Sequence, residues 1–214
     1  DSYAPLAALA GARIRHVCLA PPDFALPRDE LAAAFSDQTK AIVINNPQNP
    51  CGKVFTRAEL EFVGELCCRH DACAIADEVY EHLVYDGREH HCLLTVPGLR
   101  DRGLVISSTA KTFSMTGWKV GYVIAAPALT QAVRMSHQFI TFCGQRAFQQ
   151  AMTAAIEMDK GYYDDLRQEY TGKRQRLCDG LRQVGFGVTQ PQGTYYVLAD
   201  IRPLGYDDDL AFCR

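Results

Sequence analysis

The sequence predicts an α/β fold in which a mostly parallel sheet lies between helices. Over the first two thirds of the chain, short β-branched apolar runs alternate with stretches of helical spacing. Continuous apolar strands separated by helices are typical of parallel sheets that are covered on both faces. In addition, polar clusters follow three of the runs, and ligands bind at the carboxyl edge of such sheets.

Five apolar runs are the predicted strands: 14–19, Ala41–Asn45, 73–76, 104–107 and 120–125. Only about ten residues separate Ser108 from the last run, whereas a parallel crossover needs roughly a dozen or more. We therefore expect the last strand to be antiparallel or to belong elsewhere in the sheet.

Helical spacing predicts helices over 28–35 and 56–70, and Thr56 with Glu59 predicts a capping box at the start of the second. The pattern stays helical from 127 to about 184, with a break near 142–144. A further strand is predicted over 195–201.

Two domains are predicted. The first covers 1–184 and includes a long connecting helix at about 145–184, and the second begins at 185–214. Both ends of the sequence look cut, so we expect the chain to be part of a longer protein whose second domain continues further.

Composition excludes several functions. The chain has 214 residues, 22% of them charged, and a formal net charge of −3. This gives no electrostatic support for nucleic-acid binding, and no apolar run approaches the ~20 residues of a membrane span. The nine cysteines form no CxxC pair, so we predict no zinc site and expect reduced thiols in a cytoplasmic protein. The adjacent His90 and His91 are predicted to lie in a loop, since no third metal ligand is evident.

Polar residues follow the second, third and fourth predicted strands. They are Asn49, then Asp77 with Tyr80, then Ser108 with Lys111. The separations of 28 residues (Asn49 to Asp77) and 34 residues (Asp77 to Lys111) are each roughly one βαβ unit. Taken alone, Asn49 could be a turn residue, Asp77 a helix cap and Lys111 a solvated lysine. Their common spacing instead favours one site at the carboxyl edge of the sheet.

The chemistry that uses these groups together is catalysis with pyridoxal phosphate. Its aldehyde needs a lysine amine, its ring nitrogen a carboxylate, its ring oxygen hydrogen-bond donors, and its phosphate hydroxyls and a cation. Lys119 follows Lys111 by eight residues with Gly117 between them, so Lys119 can bind the phosphate while Lys111 reaches the aldehyde.

The segments 46–52, 76–80 and 107–121 resemble the signature set of fold type I, class I/II aminotransferases. With 84–87 and 191–196, the lysine motif most resembles the kynurenine/glutamine transaminase K and methionine aminotransferase branch. The resemblance implies a PLP-transferase type I large domain followed by the start of a smaller α+β domain. It also implies a homodimer in which each partner completes the other's site.

The same resemblance implies a role for each matching residue. Lys111 forms the Schiff base with pyridoxal phosphate and shuttles the proton, and Asp77 pairs with the ring nitrogen. Tyr80 and Asn49 hydrogen-bond the ring oxygen, and Asn49 also contacts the substrate carboxylate.

The remaining implied roles concern the phosphate and the substrate. Ser108 and Lys119 hold the phosphate, and Phe142, at the helix break, contacts the substrate. The resemblance also implies that the Gly-rich phosphate loop, the ring-stacking aromatic and the carboxylate-binding arginine lie outside these 214 residues.

The predicted function is amino transfer between a neutral, aromatic or sulfur-containing amino acid and a 2-oxo acid. Two alternatives remain open. One is a β-lyase of the same fold that acts on cysteine conjugates and needs the same Lys111. The other is a non-catalytic, aminotransferase-like module of a regulator.

Overall fold

The computed structural model describes residues 2–214, and its main sheet has four strands in the order β1-β2-β3-β4. The strands are β1 Ala41–Asn45, β2 Cys73–Asp77, β3 Gly103–Ser108 and β4 Gly121–Ala125. The first three are parallel, and β4 pairs antiparallel with β3. Four of the five strands predicted for this sheet, and the antiparallel direction of the last, are confirmed.

Two predicted strands are wrong in whole or in part. Within residues 2–214 no strand pairs with 14–19, and a strand requires a partner for its backbone hydrogen bonds. Its apolar residues Val17 and Leu19 instead pack against the core. Of the strand predicted over 195–201, only β6 Ala199–Asp200 forms, because its partner β5 Gly187–Val188 has just two residues.

The helices follow the predicted spacing with one additional break. They are α1 Tyr3–Leu9, α2 Arg28–Ala34, α3 Arg57–Arg69, α4 Thr109–Thr112, α5 Pro127–Ile140, α6 Arg146–Ile156, α7 Lys160–Gln183 and α8 Asp209–Phe212. The helix predicted over 145–184 is two helices, because Asp159 accepts the Gly161 N–H at 2.7 Å and starts α7. None of the helices between residues 2 and 214 is both long and apolar enough to cross a bilayer.

The predicted capping box at the start of α3 is present. Thr56 Oγ accepts the Glu59 N–H at 3.3 Å, and the Glu59 carboxylate accepts the Thr56 N–H at 2.8 Å. The two bonds satisfy donors that the first turn of a helix otherwise leaves free.

The hydrophobic core lies on one face of the main sheet. Ile44, Ala76 and Val105 on that face pack with Val63 and Leu66 of α3, both fully buried. On the opposite face, Val43 is 44% and Ile106 39% exposed. Asp77 shares this second face with both of them, so its carboxylate lies on the side away from α3.

A docking segment, 191–196, crosses from the C-terminal part of the chain to the sheet edge. The Gly193 N–H donates to the Gly52 carbonyl at 2.8 Å. A Cβ on Gly193 would lie 2.8 Å from Pro47 Cβ, so a glycine is required for this close approach. The segment thereby places the Tyr195 ring edge-on against the Tyr80 ring, with 5.2 Å between ring centroids.

Candidate active site

The site forms where the three parallel strands end. In the strand register Asn45 lies opposite Asp77, and Asp77 lies opposite Ile106. Asn45 Nδ2 donates to the Asp77 carbonyl at 2.9 Å, and Asn45 Oδ1 accepts the Asn49 N–H at 2.6 Å. One amide side chain therefore ties the turn that carries Asn49 to the end of β2.

The Asp77 carboxylate is half-buried and has two donors. Tyr3 Oη donates to Oδ2 at 2.6 Å, and the Val79 N–H donates to Oδ1 at 3.4 Å. Burial, followed by the hydrogen bond to Asp77, raises the pKa of the Tyr3 hydroxyl, which therefore stays a donor. Sequence reasoning missed Tyr3, and nothing in the pattern around it distinguishes it from other helical tyrosines.

Lys111 is half-buried on the single turn of α4, and both ends of that turn are fixed. Ser108 caps the turn, and its hydroxyl donates to the Val120 carbonyl at 2.8 Å. At the other end, Tyr162 Oη donates to the Thr112 carbonyl at 2.8 Å. The backbone under Lys111 is thus held by side-chain contacts with β3, with the chain before β4 and with α7.

The Tyr196 hydroxyl lies among three of the predicted site residues. The hydrogen bond from Tyr80 lowers the pKa of Tyr196, and Tyr195, the Lys111 ammonium and Asn49 act in the same direction. Conversely, burial raises the pKa of Tyr80, which is only 3% exposed. Tyr80 therefore acts as the proton donor of the pair, and the pKa of Tyr196 responds to Tyr80, to Asn49 and to the charge of Lys111.

Tyr196 was missed as a site residue by sequence reasoning. The available signal was its place at the end of the 191–196 motif, which carried part of the family resemblance. Its position depends on the docking of that segment, and residue spacing within one βαβ unit does not reveal such a contact.

Two predicted site residues lie at the margin. Lys119 is exposed and adopts a left-handed φ of 56° directly after the 3₁₀ turn Thr116–Trp118. The Trp118 ring of that turn stacks on the Phe148 ring, with 4.6 Å between ring centroids. Phe142 is 75% exposed, and over residues 2–214 no hydrogen bond or ring pair joins its side chain to the Lys111 region. The structure therefore brings Asn49, Tyr80 and Lys111 together but not Phe142.

The residues present fit pyridoxal phosphate by the chemistry of their groups. The amine of Lys111 could hold the aldehyde, and the carboxylate of Asp77 could hold the protonated ring nitrogen. The phenol of Tyr80 and the amide of Asn49 could hold the phenolic oxygen. The hydroxyl of Ser108 and the ammonium of Lys119 could hold the phosphate. The two adjacent histidines lie in a loop as predicted, and nowhere in residues 2–214 do three His, Cys, Asp or Glu side chains cluster closely enough to bind a metal.

The family model for aminotransferase class I and II matches residues 1–214. The chain belongs to this family. Its fold is that of the type I enzymes, and pyridoxal phosphate is the cofactor of class I and II aminotransferases. The resemblance seen in the sequence motifs is therefore confirmed.

Three relatives illustrate the similarity. The solved structure of N-succinyldiaminopimelate aminotransferase from Mycobacterium tuberculosis superposes with a TM-score of 0.97 at 40% identity, over 100% of this chain and 56% of that one. The kynurenine–oxoglutarate transaminase of Dictyostelium discoideum is 40% identical over 85% of this chain and 43% of its own length. The methionine aminotransferase of Escherichia coli K12 is 34% identical over 100% and 55% respectively. The chain spans about half the length of the curated relatives it matches.

Proposed function

We propose that the full-length protein is a pyridoxal-phosphate-dependent aminotransferase that moves an amino group between an amino acid and a 2-oxo acid. The observation that supports this most strongly is the joint effect of Lys111, Tyr80 and Asn49 on one phenol, Tyr196, together with the hydrogen bonds by which Asn45 ties Asn49 to Asp77. The cofactor supplies an electron sink that acidifies the α-carbon of the amino acid.

The chain's own residues then bind, orient and move protons. Lys111 Nζ would receive the proton from the substrate α-carbon and return it, which requires a fixed base within hydrogen-bond reach. The Asp77 carboxylate would balance the positive charge of a protonated ring nitrogen. With the cofactor bound, Tyr80 and Asn49 would donate to its ring oxygen, and Ser108 and Lys119 would hold its phosphate.

For the substrate we propose a neutral, aromatic or sulfur-containing amino acid. The site is walled by the rings of Tyr80, Tyr170, Tyr195 and Tyr196, of which Tyr170 and Tyr195 stack at 5.9 Å. Aromatic walls favour apolar and aromatic side chains over charged ones. Relatives named for kynurenine and for methionine agree with this choice, whereas the one named for N-succinyldiaminopimelate suggests an acidic alternative.

The first experiment locates the cofactor. Full-length protein is reduced with borohydride in the presence of pyridoxal phosphate, and the labelled peptide is mapped. We expect the label on Lys111, and Lys111→Ala serves as the matched control that loses it. A label on Lys119, or none on folded protein, would reject the proposal.

The second experiment decides the reaction and the substrate. Methionine, phenylalanine, kynurenine and N-succinyldiaminopimelate are each assayed with a panel of 2-oxo acids. We expect turnover of the first three to exceed that of the last. Release of pyruvate from a cysteine conjugate without any 2-oxo acid would instead favour the β-lyase reaction.

We further propose that the full-length protein is a cytoplasmic homodimer with a domain boundary near 184. The two-stranded sheet of β5 and β6 is separate from the main sheet, which supports the boundary. The helix break at 141–145 leaves Phe142 exposed, as a residue that contacts a partner's substrate would be. An active species that sediments as a monomer would contradict the dimer.

A further inference from the structure

Glu78 and His90 form a buried pair directly beside the candidate site. The Glu78 side chain is 1% and the His90 side chain 12% exposed, and Glu78 Oε2 lies 3.4 Å from His90 Nε2. Both atoms are buried, and neither has a hydrogen-bond partner within residues 2–214, so the contact between them is not yet a hydrogen bond. Amino transfer as derived above uses neither residue.

The pair needs one proton. A carboxylate oxygen and an unprotonated imidazole nitrogen are both acceptors, so facing each other in a buried place they repel unless one carries hydrogen. Burial raises the pKa of Glu78 to about 7, and burial lowers the pKa of His90 to about 4, against a hydrogen bond to the Asn46 backbone. A neutral Glu78 that donates to a neutral His90 satisfies both atoms.

The surrounding titratable groups favour the same arrangement. The negative charges of Glu81 and Asp77 oppose ionisation of Glu78, and His82 and His91 oppose protonation of His90. Cys92 opposes this arrangement, because its hydrogen bond to Glu78 lowers the pKa of the carboxyl.

The pair lies among hydrogen bonds that join two turns. The Leu93 N–H donates to Glu78 Oε1 at 2.8 Å, which ties the segment 90–93 to the end of β2. His90 hydrogen-bonds the Asn46 backbone, and the Asn46 N–H donates to the Asp77 carbonyl at 2.9 Å. The turns after β1 and β2 are therefore joined both directly and through Glu78 and His90.

We propose that Glu78 and His90 are positioning residues whose single shared proton holds Asn49 and Asp77 in place, so that loss of this proton weakens cofactor binding. The proposal rests on the proposed function, because it takes Asn49 and Asp77 as cofactor ligands. A neutral imidazole has one N–H, and His90 directs it to the Asn46 backbone. Above neutral pH an ionised Glu78 therefore faces the lone pair of Nε2, and the contact between the two side chains becomes repulsive.

The test compares full-length wild type with Glu78→Gln, measuring the dissociation constant of pyridoxal phosphate from pH 6 to 8.5. The glutamine amide donates to His90 and accepts from Leu93, yet it does not titrate. We expect equal affinity of the two proteins at pH 6 and about tenfold weaker binding by wild type at pH 8.5, since linkage allows up to tenfold per pH unit above the pKa. Glu78→Ala, which lacks both bonds, should bind weakly at every pH.

The outcomes separate this inference from the proposed function. A ratio of wild-type to Glu78→Gln affinity that stays constant over the whole pH range would overturn the inference and leave the proposed function standing. Failure of wild type to bind pyridoxal phosphate at any pH would overturn both. If Glu78→Gln does not fold, His90→Gln replaces it, because its amide donates to an ionised Glu78 and should likewise remove the alkaline loss of affinity.

Discussion

Replacing Glu78 by Gln should make the stability of the protein depend on pH in a way that wild type does not. The unfolded pair binds one proton between the usual pKa values of Glu (4.5) and His (6.5), held by the histidine. The folded pair also binds one proton, held by Glu78 with its pKa near 7. Because the two states bind equal numbers of protons, the wild-type pair adds almost no pH dependence to the free energy of unfolding.

In Glu78→Gln only His90 titrates. Its folded pKa of about 4 lies below the unfolded 6.5, so its contribution is fully present above 6.5 and is lost as the pH falls toward 4. Between pH 7 and 5 the loss is 1.5 units at 1.36 kcal/mol each, or about 2 kcal/mol. Wild type should change little over the same interval, because Glu78 offsets His90.

The assay is urea unfolding of both full-length proteins at pH 7 and pH 5 without added cofactor, followed by tyrosine and tryptophan fluorescence. The quantity compared is the change in unfolding free energy between the two pH values, so that groups common to both proteins cancel. Equal changes in wild type and Glu78→Gln would refute the shared proton. A variant that gains stability at pH 5 would show that His90 is charged in the folded protein.

Three further predictions concern the site and its supports. Asp77→Ala should lower kcat more than it weakens cofactor binding. Tyr80→Phe should reduce the free energy of cofactor binding by only about 0.5–1.5 kcal/mol, because one hydrogen bond is lost. Steady-state kinetics and cofactor titration compare the two variants, and a larger loss in Tyr80→Phe would mean that the two roles are reversed. Thr56→Ala removes the cap of α3 and should lower the unfolding free energy by about 1 kcal/mol, and an unchanged urea midpoint would contradict the cap's contribution. Gly193→Ala forces a Cβ to within 2.8 Å of Pro47 and should cost about 1–3 kcal/mol together with weaker cofactor binding, so full retention of both would argue against tight docking of 191–196.

The sequence predicted the strands of the main sheet because each is a short apolar run between helical stretches. The direction of β4 followed from the length of the chain before it, which is too short for a crossover. The run 14–19 has the same composition but forms no strand, since pairing depends on a neighbour that composition does not reveal. The break before α7 was not predicted because a single aspartate, Asp159, caps it.

Site residues that directly follow a strand were predictable, because parallel strands deliver their ends to one edge. Asn49, Tyr80 and Lys111 all act on the pKa of Tyr196, and their roles in the site remain predictions. Tyr3 and Tyr196 were not predicted, since each reaches the site from a segment distant in sequence. The facing of Glu78 and His90 was equally hidden, because it depends on how the loop at 90–93 folds back onto β2.

The docking of 191–196 also determines when the site can exist during synthesis. The Val54 N–H donates to the Gln192 side chain at 3.1 Å across 138 residues of sequence. A chain is made from its N-terminus, so Asn49, Asp77 and Lys111 leave the ribosome long before Tyr196. The nascent chain therefore carries Lys111 before the phenol that completes its surroundings has been made, and the arrangement around Tyr196 can form only once the segment 191–196 has docked.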